Sequence, residues 1–467
     1  MMNKINPASI EMVFFWYFLS INVVYSILLF LGAIRVYQRR KELSVEDFTN
    51  ILHSNSLPEI AFIVPMHNEA KNICGCIQSI LNLTYRYKQI IAVNDGSKDN
   101  TLQVLKEQFD LVPIPHFFAE TIPAQPVRQV LRSRTVPELL VIDKPHAGKY
   151  DAVNVGVNAC ENPFFIAVDA DVFIDNKGFE ALIRPLLAYP ETVAIGGTVR
   201  IKNGCTLDFN RINTKKISFH FLPMFQGLEY LRSFLQRQGW DYLAGNFVIA
   251  GAFSIFPTEL IRKTGGFSSC IAEDMEIVVR LHRVMKRSKI PYRVFYLPDP
   301  IAWTEGPSTL GALGRQRTRW HLGLLETLWY HKGMCLNPRY GFFGLFNYPF
   351  WIWGEAIEPV MEALGYTVVL IAWAAGLMNG SFALLLILIT LGFAFVYSLA
   401  CLLIEEASFR KYTSFKTIMM MFLLSLIENC GYRQLTVYWR IKSFAQFFRT
   451  FRQTHRESKR LQRLMKK

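Results

Sequence analysis

Two uncharged stretches limit what this 467-residue chain can become. Residues 12–34 run for 23 positions without a charge, and residues 363–404 for 42, with one break at Asn379-Gly380-Ser381. A helix needs about 20 apolar residues to cross the hydrocarbon of a bilayer. The first stretch therefore reads as one span and the second as a helical hairpin of two. The first is too long for the apolar part of a secretory signal, and no small-residue cleavage site follows it. Arg35, Arg39, Arg40 and Lys41 come directly after. Basic residues stay on the cytoplasmic side, so the N-terminus is expected outside and the following chain in the cytosol. The first hairpin arm is expected to start near Pro359, with Glu358 and Glu362 at the interface. Residues 341–354 are uncharged and carry Phe342, Phe343, Phe346, Tyr348, Phe350, Trp351 and Trp353, which suggests a segment at headgroup level. Residues 417–427 are short for a span and read as an interfacial or re-entrant helix. Three crossings leave the C-terminal tail cytosolic.

Hydrophobic residues at 51% and charged residues at 19% exclude a disordered or fibrous chain. The net charge is +14, and residues 440–467, with ten bases and one acid (Glu457), carry most of it. A basic segment beside apolar helices suits an anionic lipid surface, and no nucleic-acid partner is expected. Arg452 and Arg456 read as part of that surface charge. The eight cysteines are scattered without zinc-site spacing and read as reduced packing thiols. The histidines show no metal-site spacing either. Four regions result: a membrane helix at 1–40, a cytosolic domain at 41–340, interfacial and membrane helices at 341–439, and a basic tail at 440–467.

The middle region alternates short β-branched runs with helical patterns, the pattern of an α/β domain with a largely parallel sheet. Strands are expected at 60–64, 89–93, 139–142 and 164–168, and helices at 70–83, from Ser97 or Asp99 to Phe109, and at 275–286. Residues 110–137, rich in Pro, Gln and Arg, read as a loop over the sheet. Polar clusters collect at the carboxyl ends of the strands, where open α/β sheets bind ligands. Pro65-Met-His-Asn68-Glu69 closes the first strand and Asp95 the second. Asp169 and Asp171 follow a later one, and two carboxylates one residue apart can hold a hard divalent cation. Lys144 and Lys149 flank Gly148, an arrangement suited to phosphate or ring edges. Glu273 and Asp274 open a helix, and Gln316, Arg317, Arg319 and Trp320 lie together on another.

In this order and spacing the clusters resemble the membrane-embedded family 2 glycosyltransferases, the group containing cellulose, hyaluronan and poly-N-acetylglucosamine synthases. The resemblance implies a GT-A type, Rossmann-like nucleotide-sugar domain inserted between transmembrane helices of an inner or plasma membrane. It also implies inverting, processive transfer of a hexose or N-acetylhexosamine from a UDP-sugar to a β-linked polysaccharide. Single-sugar transfer to a lipid acceptor is the alternative, and an accessory subunit is left open. By the same resemblance, Asp274 is the general base, with Glu273 beside it. Pro65, Asn68, Glu69, Asp95, Lys149, Asp169 and Arg319 bind the donor, Gln316 and Trp320 the acceptor, and Asp169 with Asp171 holds Mg²⁺ or Mn²⁺. Arg317 reads as solvated or bound to lipid headgroups. Asn94, Ala147 and Ala272 stand where relatives often carry Asp, Gly and Thr.

Overall fold

The computed structural model describes residues 7–45, 57–203, 205–208, 211–213, 221–376, 380–409 and 415–464. Its strands are β1 (Ile60–Met66), β2 (Lys88–Asp95), β3 (Leu111–Ile114), β4 (Gln129–Ser133), β5 (Leu139–Lys144) and β6 (Phe164–Val168). They continue with β7 (Phe173–Ile174), β8 (Thr192–Ile201), β9 (Thr206–Asp208), β10 (Arg211–Asn213), β11 (Phe253–Pro257) and β12 (Arg293–Thr304). Among the described residues ten strands form one sheet, ordered β3-β4-β5-β2-β1-β6-β11-β8-β12-β7, while β9 and β10 pair apart from it.

The segment β5-β2-β1-β6 is parallel. All seven residues of β1 are buried. A parallel strand covered on both faces must be a continuous apolar run, which is why this part is legible as Ile-Ala-Phe-Ile-Val. Beyond β6 the sheet is mixed, because β11 runs antiparallel to both β6 and β8. Residues 110–137 are also more than a loop. They contribute β3 and β4, which pair antiparallel with each other, and β4 pairs with β5. The missing N–H of Pro113 disguises β3, yet an edge strand tolerates a proline.

The Lys149–Ala159 helix sits close on the sheet because Gly156 has no side chain; a Cβ there would come within 2.4 Å of the Ile63 side chain. The N-terminal helix, Pro7–Val45, crosses the Phe221–Tyr242 helix backbone to backbone. A Cβ on Gly239 would lie 2.3 Å from the Leu28 carbonyl oxygen, and one on Gly32 2.4 Å from that of Leu235. Arg35 pairs with Asp241 at 3.0 Å and Arg39 with Asp299 at 3.3 Å. The basic residues after the first apolar run thus also clamp that helix to the domain.

Met12–Lys41 and Leu391–Ser408 are long and apolar enough to cross a membrane. Phe343–Ala356 and Glu358–Ala374 qualify only as a pair bent by 44°. The expected headgroup segment is therefore helical, with π-helical turns at Phe343–Asn347 and Trp351–Ala356, and leads into the first hairpin arm. Asn379, in the expected hairpin turn, lies outside the described residues, as do the side chains of Arg452 and Arg456. Phe415–Ile427 is a helix of only 13 residues. Glu358 and Glu362 are buried ion-pair partners. Arg433 reaches Glu362 at 2.7 Å and Glu358 at 3.1 Å, and Arg440 reaches Glu358 at 2.6 Å. Arg440, counted by charge as the start of the tail, is thus an internal cation of the Tyr432–Leu464 helix.

Candidate active site

The first half of the site is built at the ends of β1, β2 and β5. The register sets Asp95 directly opposite Lys144. Lys144 has no exposed side-chain surface; its ammonium contacts Asp95, Asp151 at 2.8 Å and the Pro145 carbonyl oxygen at 2.7 Å. Asp95 also accepts the amide hydrogens of Ala147 at 2.9 Å and Gly148 at 2.8 Å. Burial works against its charge, but the bonds from Lys144, Ala147 and Gly148 hold its pKa below the usual aspartate value. Lys144 is thus buried against Asp95 and Asp151, and the Asp95 carboxylate also holds the 144–148 loop. Gly148 completes that loop at φ 108°, a conformation that glycine adopts without strain. Asn94 donates to Asp143 at 2.7 Å; an aspartate there would set two buried carboxylates face to face.

Asn68 stands at φ 58° and accepts the Lys98 amide at 2.8 Å, tying the end of β1 to the loop after β2. Pro65 lies within β1, opposite Val93. Glu69 accepts from the Asn72 side chain at 2.9 Å. Burial raises its pKa, the Asn72 bond opposes this, and the charges of Asp171 and Asp169 add to the rise. Glu69 therefore shares a field with the two aspartates. The rings of His67 and His146 lie 4.2 Å apart. Ligand atoms of His67, Asp95 and His146 fall within 4.8 Å of one another, a set that can hold a metal ion. Sequence spacing missed this grouping because its members come from three separate strand ends.

The second half follows β6 and opens the Glu273–Ser288 helix. Lys149 bridges them: its ammonium is 2.6 Å from Asp169, 3.3 Å from Glu273 and 3.3 Å from the Gly251 carbonyl oxygen. Asp171 accepts the Thr304 hydroxyl at 2.8 Å, and its backbone oxygen accepts from Lys202 at 2.7 Å. Burial and the charge of Asp169 push the pKa of Asp171 up. Lys149 thus holds Asp169 and Thr304 holds Asp171, and both present carboxylate oxygens, the donors that a hard divalent cation takes. Burial and the charge of Glu273 push Asp274 up to about 6, against the pull of Lys149. Gly251 presses on this aspartate; a Cβ there would lie 2.1 Å from Oδ2 of Asp274. Gly251, Thr304 and Lys202 carry no motif and were invisible in the sequence.

The Leu310–Tyr330 helix, capped by Thr309 at 3.3 Å, packs against the turn before Glu273. A Cβ on Gly323 would come 2.4 Å from the Ala272 methyl. Arg317 is not solvated or lipid-bound. It is largely buried, pairs with Glu229 and lies 4.7 Å over the ring of Trp320. The Gln316 carbonyl oxygen is buried without a hydrogen-bond partner among the described residues. Arg319 is exposed, with no ion pair among the described residues. Trp320 is 38% exposed, its ring 6.3 Å from that of Tyr230. Burial pushes Tyr230 up to about 12 against the pull of Arg317, with Glu229 and then Asp171 adding to the rise.

Residues 167–427 match the family described as Glycosyl transferase family group 2, and residues 61–121 match Glycosyl transferase family 2. The chain belongs to the family 2 glycosyltransferases. Poly-beta-1,6-N-acetyl-D-glucosamine synthase of Staphylococcus epidermidis is 25% identical over 276 residues, covering 58% of this chain and 55% of that protein. The synthase of Staphylococcus aureus strain COL is 26% identical over 322 residues, covering 68% and 67%. The matches thus span between about half and two thirds of these relatives. The mannosyltransferase PcManGT of Pyrobaculum calidifontis, solved with GDP-Man and Mn²⁺, shares the fold with a TM-score of 0.52 at 17% identity, over 88% of this chain and 98% of that one. The GT-A-like architecture expected from the motif order is the one observed.

Proposed function

We propose that this glycosyltransferase moves a hexose or N-acetylhexosamine, with inversion, from a UDP-sugar to a growing β-linked polysaccharide at the cytosolic face of a membrane. The Lys149 bridge carries the reading. It joins the Asp169/Asp171 pair after β6 to the Glu273/Asp274 turn that opens a helix. Asp274, lifted toward neutrality, takes the proton of the acceptor hydroxyl as that oxygen bonds to the anomeric carbon. The bond to the donor phosphate breaks on the opposite side, and UDP leaves with the electron pair. Asp169 and Asp171 would hold Mg²⁺ or Mn²⁺, which neutralises the diphosphate charge as a Lewis acid. Lys149 and Arg319 add positive charge for the diphosphate. Asn68, Glu69 and Asp95 shape the nucleotide side, Asp95 through the loop that it holds. Trp320, backed by Arg317 and Tyr230 and with Gln316 near, offers the acceptor sugar an apolar face. The polymer is supported by the names of the curated relatives, and the membrane setting by the long apolar helices.

Purified full-length protein supplied with UDP-N-acetylglucosamine, UDP-glucose or GDP-mannose, with nucleotide release and product length recorded, tests this directly. The expected result is release from one UDP-sugar, loss of release in EDTA with recovery on adding Mg²⁺ or Mn²⁺, and long products. Products of one added sugar would move the reading to a lipid acceptor. Full activity in EDTA would remove the metal from the account.

A further inference from the structure

We propose that Lys149 is a resident counter-ion that must leave Asp169 before a divalent cation can bind, so that cation and nucleotide enter the site cooperatively. The inference rests on the reading of Asp169 and Asp171 as the cation ligands. An ammonium 2.6 Å from Oδ1 of Asp169 stands where an incoming cation would stand. A hard cation binds carboxylate oxygen at about 2.0–2.1 Å when it is Mg²⁺, and two positive charges cannot share that oxygen without strong repulsion. The backbone beneath Lys149 is fixed, since the amides of Ala147 and Gly148 are both spent on Asp95. Only the side chain can swing.

What the ammonium moves to decides the energetics. Glu273 and the Gly251 carbonyl oxygen, each 3.3 Å away, already hold its other side, so retreat alone costs it the shorter of its two carboxylate contacts. A nucleotide diphosphate arriving with the cation supplies a new anionic partner. Cation alone must therefore displace Lys149 at a loss, whereas cation with UDP displaces it onto phosphate. Binding free energies are reciprocal, so UDP must tighten the cation by the same factor as the cation tightens UDP.

Mn²⁺ titrations of the full-length protein, followed by electron paramagnetic resonance with and without saturating UDP, test the proposal. In the wild type, UDP should tighten Mn²⁺ by about 5–150-fold, the usual range of coupling between sites. Lys149→Met should bind Mn²⁺ alone about tenfold or more tighter, because one local positive charge is gone, and its UDP coupling should shrink by a similar factor, leaving what direct contact of cation and diphosphate contributes. Lys149→Arg, which keeps the charge, should retain coupling. Absence of coupling in the wild type overturns the proposal without any variant. So does a Lys149→Met protein with unchanged Mn²⁺ affinity and unchanged coupling, and this result would leave the cation reading itself intact. Wild-type protein that binds no Mn²⁺ even with UDP overturns both.

Discussion

At the scale of single residues, charge here is mostly held by other charge. Lys144 is the sharpest case, an ammonium without solvent between Asp95 and Asp151. Removing one partner of such a buried set leaves uncompensated charge and costs about 3–5 kcal/mol. Lys144→Met should therefore lower the thermal midpoint by many degrees, measurable by tryptophan fluorescence in detergent. A midpoint within a degree of wild type would show that Asp95 and Asp151 do not depend on it. The motif positions Asp95, Asp169 and Asp171 were legible because they follow strand ends, and Asp274 because it opens an amphipathic helix in the expected order. The burial of Lys144 was not, since nothing local separates a lysine that meets phosphate from one that meets a neighbouring strand. Arg317 misled for the same reason: its partner Glu229 lies 88 positions away.

At the scale of elements, the site depends on close helix packing permitted by glycine. Gly323 lets the Leu310–Tyr330 helix touch Ala272, just before Glu273 and Asp274. The same helix is held by the last helix: Trp439 covers Gly314, and Ser443 bonds His321 at 2.6 Å. Gly323→Val should push the helix off the turn, lowering turnover at least tenfold while UDP affinity, which rests on other strand ends, stays within about threefold; a tenfold change corresponds to only about 1.4 kcal/mol. Equal turnover in Gly323→Val and wild type would show that the contact does not position the turn. The buried parallel strands were readable as apolar runs. The antiparallel strands β3, β4 and β11 were not, because such short strands owe their existence to the neighbours they pair with.

At the scale of the whole molecule, the apolar helices and the catalytic domain form one packed body. The Gly32/Gly239 crossing and the Arg35–Asp241 and Arg39–Asp299 pairs join the N-terminal apolar helix to the domain. If that domain is cytosolic and three spans cross, a cysteine introduced within residues 440–467 of a protein lacking Cys430 should resist an impermeant maleimide in intact cells and react after lysis. Labelling before lysis would put the tail outside and, with the N-terminus outside, require an even number of crossings. The central claim is that Asp274 works as the base beside a separately bound donor. Its most direct measurement is turnover against pH, with UDP affinity, for the wild type and Asp274→Asn. A base whose pKa is raised to about 6 is protonated and idle below that value, so wild-type turnover should climb with pH through about 6 and then level. Asp274→Asn should lose about 10²–10⁴-fold in turnover, lose that pH dependence, and bind UDP as the wild type does. Near-normal turnover in the variant, or loss of UDP binding together with turnover, would contradict the account.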